Sequence, residues 1–175
     1  VPVSTSCACS RKLVKRLSIK NTILFTPWFL FMNVNLGKKN TMTSNVIYEG
    51  SLRTVATHLQ SKSIFETDAP TDNMGKGERF SPTDLVGTAL ASCMLTTIAI
   101  KMRPMEEILK GIHIDVLKIM SANPRRISGL HLTFHYPTGF IATDSQKQEF
   151  EEIAMTCPVK ESIHPGIDLK VDFNW

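Results

Sequence analysis

Residues 81–101 read SPTDLVGTALASCMLTTIAIK and decide the fold class. Ser81 precedes Pro82, and an acid follows at Asp84. This order is typical of a helix N-terminus, because serine caps free amides and proline is tolerated in the first turn. No further charge occurs before Lys101, so the segment is hydrophobic all round. A helix of this kind is predicted to lie buried at the centre of a domain, because about 16 apolar residues are few for a membrane span.

Short segments with β-branched or alternating apolar residues lie on both sides of this helix, and two further helical patterns follow. The predicted strands are 46–48, 52–58, 64–67, 112–119, 127–136 and 167–173, and the predicted further helices are 144–155 and 158–162. Strands, a helix, strands, helices and a strand, in that order, predict an α+β fold.

The first 41 residues differ from the rest of the chain in charge. They hold seven of the 20 basic residues and no acid, which leaves 13 basic and 16 acidic residues in the remainder. The basic balance is therefore no reason to expect nucleic acid binding by the body of the protein. Residues 1–41 are predicted to be a removable leader, such as a mitochondrial transit peptide, or translated upstream sequence before Met42. The domain is expected over residues 42–175.

The body of the chain contains two cysteines, Cys93 and Cys157. Two are too few for a secreted disulfide scaffold, so a reducing cytoplasmic compartment is expected, or a mitochondrial one if the leader is a transit peptide. The five histidines show no metal-ligand spacing. His131 and His135 share a face of a predicted strand but have no third ligand, so no metal or bound cofactor is expected.

The two cysteines have different predicted surroundings. Cys157 precedes Pro158 and occupies the N-cap of a predicted short helix, where backbone amides and nearby Lys160 would lower the pKa of its thiol. Cys93 lies within the apolar helix, where a free cysteine is usually a small buried hydrophobe. The residue patterns alone leave open whether either thiol is reactive.

Two stretches resemble the OsmC/Ohr family of osmotically induced and organic hydroperoxide resistance proteins. Residues 80–85 and the helix up to Cys93 resemble the family's first-cysteine helix, and residues 156–159 resemble its second-cysteine motif. The resemblance spans residues 44–175. It implies an OsmC-like fold, in which a curved antiparallel sheet wraps around central helices, and an intertwined homodimer with its active sites at the interface.

The resemblance also implies a thiol peroxidase that acts on organic hydroperoxides. Cys93 would attack the peroxide and become a sulfenic acid, and Cys157 would resolve it as a disulfide. An external dithiol resembling dihydrolipoamide would then reduce the disulfide, with no bound cofactor, metal, nucleic acid or membrane involved. Arg53 matches by position the family's arginine, which stabilises the thiolate and orients the peroxide.

One position departs from the family pattern. The family has a glutamate after the helix-opening proline, whereas this chain has Thr83, and an acid follows only at Asp84. Either Glu78 or Asp84 supplies a supporting carboxylate, or Arg53 acts without one, or the peroxidase activity is weak or lost. The alternative function is a non-catalytic dimeric binder of small hydrophobic molecules, and a weaker alternative is a general disulfide exchanger.

Overall fold

The computed structural model describes residues 41–175, and the predicted leader falls outside the described residues apart from Thr41. The strands are β1 (Ser44–Gly50), β2 (Arg53–His58), β3 (Ile64–Asp68), β4 (His113–Ala122), β5 (Arg125–His135) and β6 (Asp168–Asn174). The α-helices are α1 (Pro82–Lys101), α2 (Asp144–Ala154) and α3 (Pro158–Ser162). Every predicted strand and helix is thus present with bounds shifted by a few residues. Two 3-10 helices, Thr71–Asn73 and Arg103–Leu109, were not predicted.

The strands form two three-stranded sheets, in the orders β1-β2-β3 and β4-β5-β6. Neighbouring strands are antiparallel except for β5 and β6, which are parallel. Parallel strands need a long crossover, and here the chain passes through α2 and α3 between them. The α+β class is confirmed, but the expected single antiparallel sheet is divided within one subunit, and one of its parts is mixed.

The core lies between α1 and the second sheet. Leu90, Met94 and Ile98 of α1 belong to the same buried cluster as the apolar side chains of β5. Gly87 allows the helix to approach closely, since a Cβ at this position would lie 2.8 Å from a methyl carbon of Val116. The helix is thereby held firmly against the sheet.

One side of α1 is open to solvent in the single subunit, so the prediction of a helix buried all round is wrong. Its buried residues are Gly87, Leu90, Ala91, Met94 and Ile98. Its exposed residues beyond the first turn include Ala89, Ser92, Thr96 and Ile100. The apolar pattern could not distinguish a helix face that is buried inside the folded chain from one that another molecule would cover. By length and composition alone α1 could cross a membrane, a criterion that core helices of soluble proteins also meet.

Candidate active site

The two body cysteines, 64 residues apart in the sequence, are neighbours in the fold. Cys93 lies in the middle of α1 and is partly exposed, whereas Cys157 at the start of α3 is fully buried. The two thiols are free, and Cys93 packs against the buried cluster that contains Cys157, close enough to influence the pKa of the Cys157 thiol. The Cys157 sulfur also accepts a hydrogen bond from the Lys160 backbone amide, at 3.4 Å, as expected of an N-cap. The fold therefore brings the two predicted redox residues together.

Burial raises the pKa of the Cys157 thiol above its ordinary value, and the neighbouring Cys93 thiol raises it further. The Lys160 amide lowers this pKa but does not outweigh the loss of hydration. The predicted lowering of the Cys157 pKa is therefore wrong. The N-cap position was correct, but the sequence pattern does not show that core side chains enclose the sulfur.

We expect iodoacetamide to alkylate Cys93 more than about tenfold faster than Cys157 at neutral pH, because the thiolate is the reactive form and Cys157 is protonated and enclosed. The raised pKa of Cys157 stabilises the folded protein below the unfolded pKa, and this stabilisation is lost as pH rises through the folded pKa and the thiol loses its proton. Because the thiolate is the reactive form, the difference between the two alkylation rates should narrow as pH rises. Mass spectrometry of the two cysteine peptides across a pH series measures both rates. Equal rates at neutral pH would contradict the assignment.

Arg53 is held by two carboxylates. It lies opposite Asp68 in the register of β2 and β3, and its Nε and Nη2 donate to the two Asp68 carboxylate oxygens at 2.7 and 2.8 Å. Its Nη2 also donates to Glu78 Oε2 at 2.8 Å, while the Glu78 backbone amide donates to Asp68 at 3.1 Å. The guanidinium lowers the pKa of the Asp68 carboxyl, so a buried acid remains charged.

This arrangement narrows the alternatives for a supporting carboxylate. Glu78 contacts Arg53, so the alternative in which Arg53 has no acidic partner is wrong. Asp68, which makes the two-pronged contact, was missed because it was assigned to a loop. A longer β3 would have given the signal, since in the hairpin register it faces Arg53 directly.

Asp84 has a different role from the one predicted for it as a supporting carboxylate. It completes a capping box by accepting from the Ser81 backbone amide at 2.7 Å, and it forms an ion pair with Lys118 at 2.6 Å. The Lys118 ammonium also donates to Thr83 Oγ1 at 2.9 Å. The start of α1 therefore carries a local lysine network that is separate from the carboxylates of Arg53.

Replacement of Asp68 by asparagine should lower the thermal unfolding midpoint more than Glu78→Gln does. Asp68 is enclosed and Glu78 is half exposed, and exposed pairs contribute little, so we expect Glu78→Gln to stay within about two degrees of the native protein. The lowered Asp68 pKa gives stability above the unfolded pKa that is lost as pH falls through the folded pKa. The difference in thermal unfolding midpoint between Asp68→Asn and the native protein should therefore become smaller at acidic pH. Equal midpoints for both variants at neutral pH would contradict this.

An open groove of about 850 Å³ runs between α1, β4 and the loop before α1. Glu78 and the α1 residues Ser92 and Leu95 line it, as do His113 and Asp115 of β4. Among residues 41–175, no hydrogen bond or ion pair joins Arg53 to either cysteine. One subunit thus assembles the thiol pair and the arginine group separately.

Comparison with known proteins gives a consistent result. The family model described as OsmC-like protein matches residues 75–172. A crystal structure from Psychrobacter arcticus, described as that of an osmotic stress induced and detoxification response protein, is 49% identical and has a TM-score of 0.72, covering 79% of this chain and 100% of its own. A comparison with functionally curated proteins gave no match.

Two solved structures that are more distant in sequence share the fold. An organic hydroperoxide resistance protein from Legionella pneumophila is 18% identical with a TM-score of 0.60, covering 78% of this chain and 100% of its own. Another, from Bacillus subtilis, is 18% identical with a TM-score of 0.52, covering 76% and 98%. With the family match over more than half of the sequence, these findings establish that the chain belongs to the OsmC-like family, which includes organic hydroperoxide resistance proteins.

Proposed function

We propose that this protein is a thiol-dependent peroxidase that reduces organic hydroperoxides through Cys93 and Cys157. The observation that carries the proposal is that the fold places a partly exposed thiol next to a fully buried one. The raised pKa of Cys157 keeps the proton on that sulfur, so Cys93 is the thiol available for attack. A peroxide can therefore reach Cys93 from solvent, whereas Cys157 is shielded from it.

In the first step the Cys93 thiolate attacks one oxygen of the peroxide. A sulfur–oxygen bond forms, the oxygen–oxygen bond breaks, and the leaving alkoxide takes a proton to become an alcohol. Sulfur is oxidised to a sulfenic acid and the peroxide is reduced. The Cys157 sulfur then attacks the Cys93 sulfur, releasing water and forming a disulfide. An external dithiol reduces this disulfide by exchange and is itself oxidised to a cyclic disulfide.

The proposed role of Arg53 is to donate hydrogen bonds to the thiolate and the peroxide. A guanidinium suits this role because it stays charged and presents several donors in a fixed plane. Asp68 and Glu78 fix its orientation and leave its remaining donors free for a ligand. Because Arg53 does not contact the thiols of its own subunit, we propose that it acts across the interface of a homodimer.

Exposed apolar side chains support the homodimer. On β1 and β3, Val46, Tyr48 and Ile64 are each more than 60% exposed, and Ile47 and Phe65 more than 50%. A soluble subunit rarely displays this many exposed apolar side chains on one small sheet without a partner. The open side of α1, with its small side chains at Ala89 and Ser92, offers a second copy a place of close approach.

The test is consumption of cumene hydroperoxide by the purified full-length protein with dihydrolipoamide as reductant. We expect many turnovers per subunit, and slower turnover of hydrogen peroxide, because apolar side chains surround the thiol pair. Folded dimer that consumes no peroxide with any of several dithiols would overturn the proposal. If native mass spectrometry then shows a co-purified apolar ligand, the protein is a binder of hydrophobic molecules.

A further inference from the structure

A second cluster of chemically capable side chains lies on the outer face of the β4–β5 pair. His113 and His135 are directly opposite each other in the strand register, and their imidazole rings stack at 4.8 Å between centroids. Asp115, two residues along β4, places a carboxylate oxygen 3.0 Å from His135 Nε2. One nitrogen of each imidazole and one Asp115 oxygen all lie within 4.8 Å of one another.

The sheet fixes which way these three side chains point. Side chains alternate between the two faces of a strand, so His113 and Asp115 lie on the face opposite to Ile114. Ile114 packs against the core, and its register partner Phe134 is fully buried. The imidazoles and the carboxylate therefore project outward, where a solvated ion can reach them. His113 and Asp115 also line the open groove between α1 and β4.

The donor types in this cluster select a class of ion. Two imidazole nitrogens and one carboxylate oxygen suit zinc and its d-block neighbours, whereas magnesium and calcium prefer oxygen ligands throughout. Zinc bonds of 2.0–2.1 Å in a tetrahedron place ligand atoms about 3.4 Å apart. Exposed side chains need only small rotations to contract from the present spacing to that one. Three protein ligands leave a fourth position for water.

We propose that His113, Asp115 and His135 form a binding site for a divalent transition metal ion, with zinc as the best fit. The sequence pattern did not reveal it, because His113 and Asp115 belong to one strand and His135 to the next. It paired His131 with His135 instead, and in the structure His131 lies beside Asp168 of β6, at 3.7 Å. Strand pairing, and not spacing along one strand, brings His113 and Asp115 to His135.

The experiment is a calorimetric titration of the full-length protein with zinc, after its accessible cysteines have been alkylated with iodoacetamide. We expect one zinc ion per chain, with affinity at least about tenfold weaker in His113→Ala and in His135→Ala, because each removes one of three ligands. The matched control is His164→Ala, since within residues 41–175 the ring of this exposed histidine makes one hydrogen bond, which it accepts from the Gly166 amide. The control should bind zinc as the native protein does.

Cobalt in place of zinc gives a second readout. Bound cobalt should show the visible absorption bands of a four-coordinate site. It should show none of the charge-transfer bands that cysteine thiolate ligands produce. Zinc affinity in the two cluster variants equal to that of His164→Ala would overturn the proposal, as would loss of all zinc binding on alkylation. Neither readout depends on peroxide reduction, so this site and the peroxidase proposal can fail separately.

Discussion

Cys93→Ser should abolish peroxide reduction, with a loss of turnover greater than about a thousandfold. A serine hydroxyl is scarcely ionised where a thiolate is required, and the remaining thiol of the pair, Cys157, is buried and keeps its proton. Cumene hydroperoxide consumption with excess dihydrolipoamide measures the loss. Retention of native turnover by this variant would contradict the assignment of Cys93 as the residue that attacks the peroxide.

Cys157→Ser is the companion to this variant, since it removes a thiol of the same pair. It should consume about one peroxide per subunit and then stop, because the Cys93 sulfenic acid has no neighbour with which to form a disulfide. The control is the double replacement by serine of Cys7 and Cys9, the two cysteines within the first 41 residues, which should leave turnover unchanged. Continued turnover in Cys157→Ser would show that the dithiol reduces the sulfenic acid directly.

Phe134→Ala should have the largest effect on stability. Phe134 is fully buried, stacks on Phe173 at 4.6 Å between ring centroids and meets the edge of Phe150 at 5.7 Å. Emptying this position should cost about 3–5 kcal/mol, a large share of the about 5–15 kcal/mol that stabilises a typical domain. Urea unfolding at a fixed protein concentration measures the change.

Phe134→Leu provides a graded comparison. Leucine keeps an apolar side chain in the cluster and leaves a smaller void, so about 1–2 kcal/mol is expected. Similar losses in the alanine and leucine variants would indicate that ring packing, and not filled volume, sets the stability of this part of the core.

The sequence was most informative where a local pattern is sufficient. The start of α1 was predicted correctly from Ser81, Pro82 and Asp84, because capping depends on residues within one helical turn. The strand bounds followed from β-branched and alternating residues in the same way. The division into two sheets and the parallel placement of β6 could not be obtained, because they depend on how distant segments pair.

The candidate site shows the same limit at the level of single side chains. The contact between Arg53 and Glu78 was among the predicted alternatives, but Asp68 was missed because its contact with Arg53 arises from strand register. The pKa of Cys157 was given the wrong direction, because the helix start is visible in the sequence while enclosure by the core is not. The chemical type of a side chain can be read from the sequence, whereas its exposure to water depends on the tertiary structure.

The sheet formed by β1, β2 and β3 has few buried side chains of its own. Only Ala56, Thr67 and Asp68 within it are buried, and an isolated sheet of this size is marginal in water without an apolar face to cover. In the proposed homodimer, a partner subunit stabilises this sheet and Arg53, which it carries. The degree of stabilisation therefore depends on protein concentration through the law of mass action. Dilution would then loosen the β1–β3 sheet while the core around α1 remains protected, so that assembly and readiness for catalysis rise together with protein concentration.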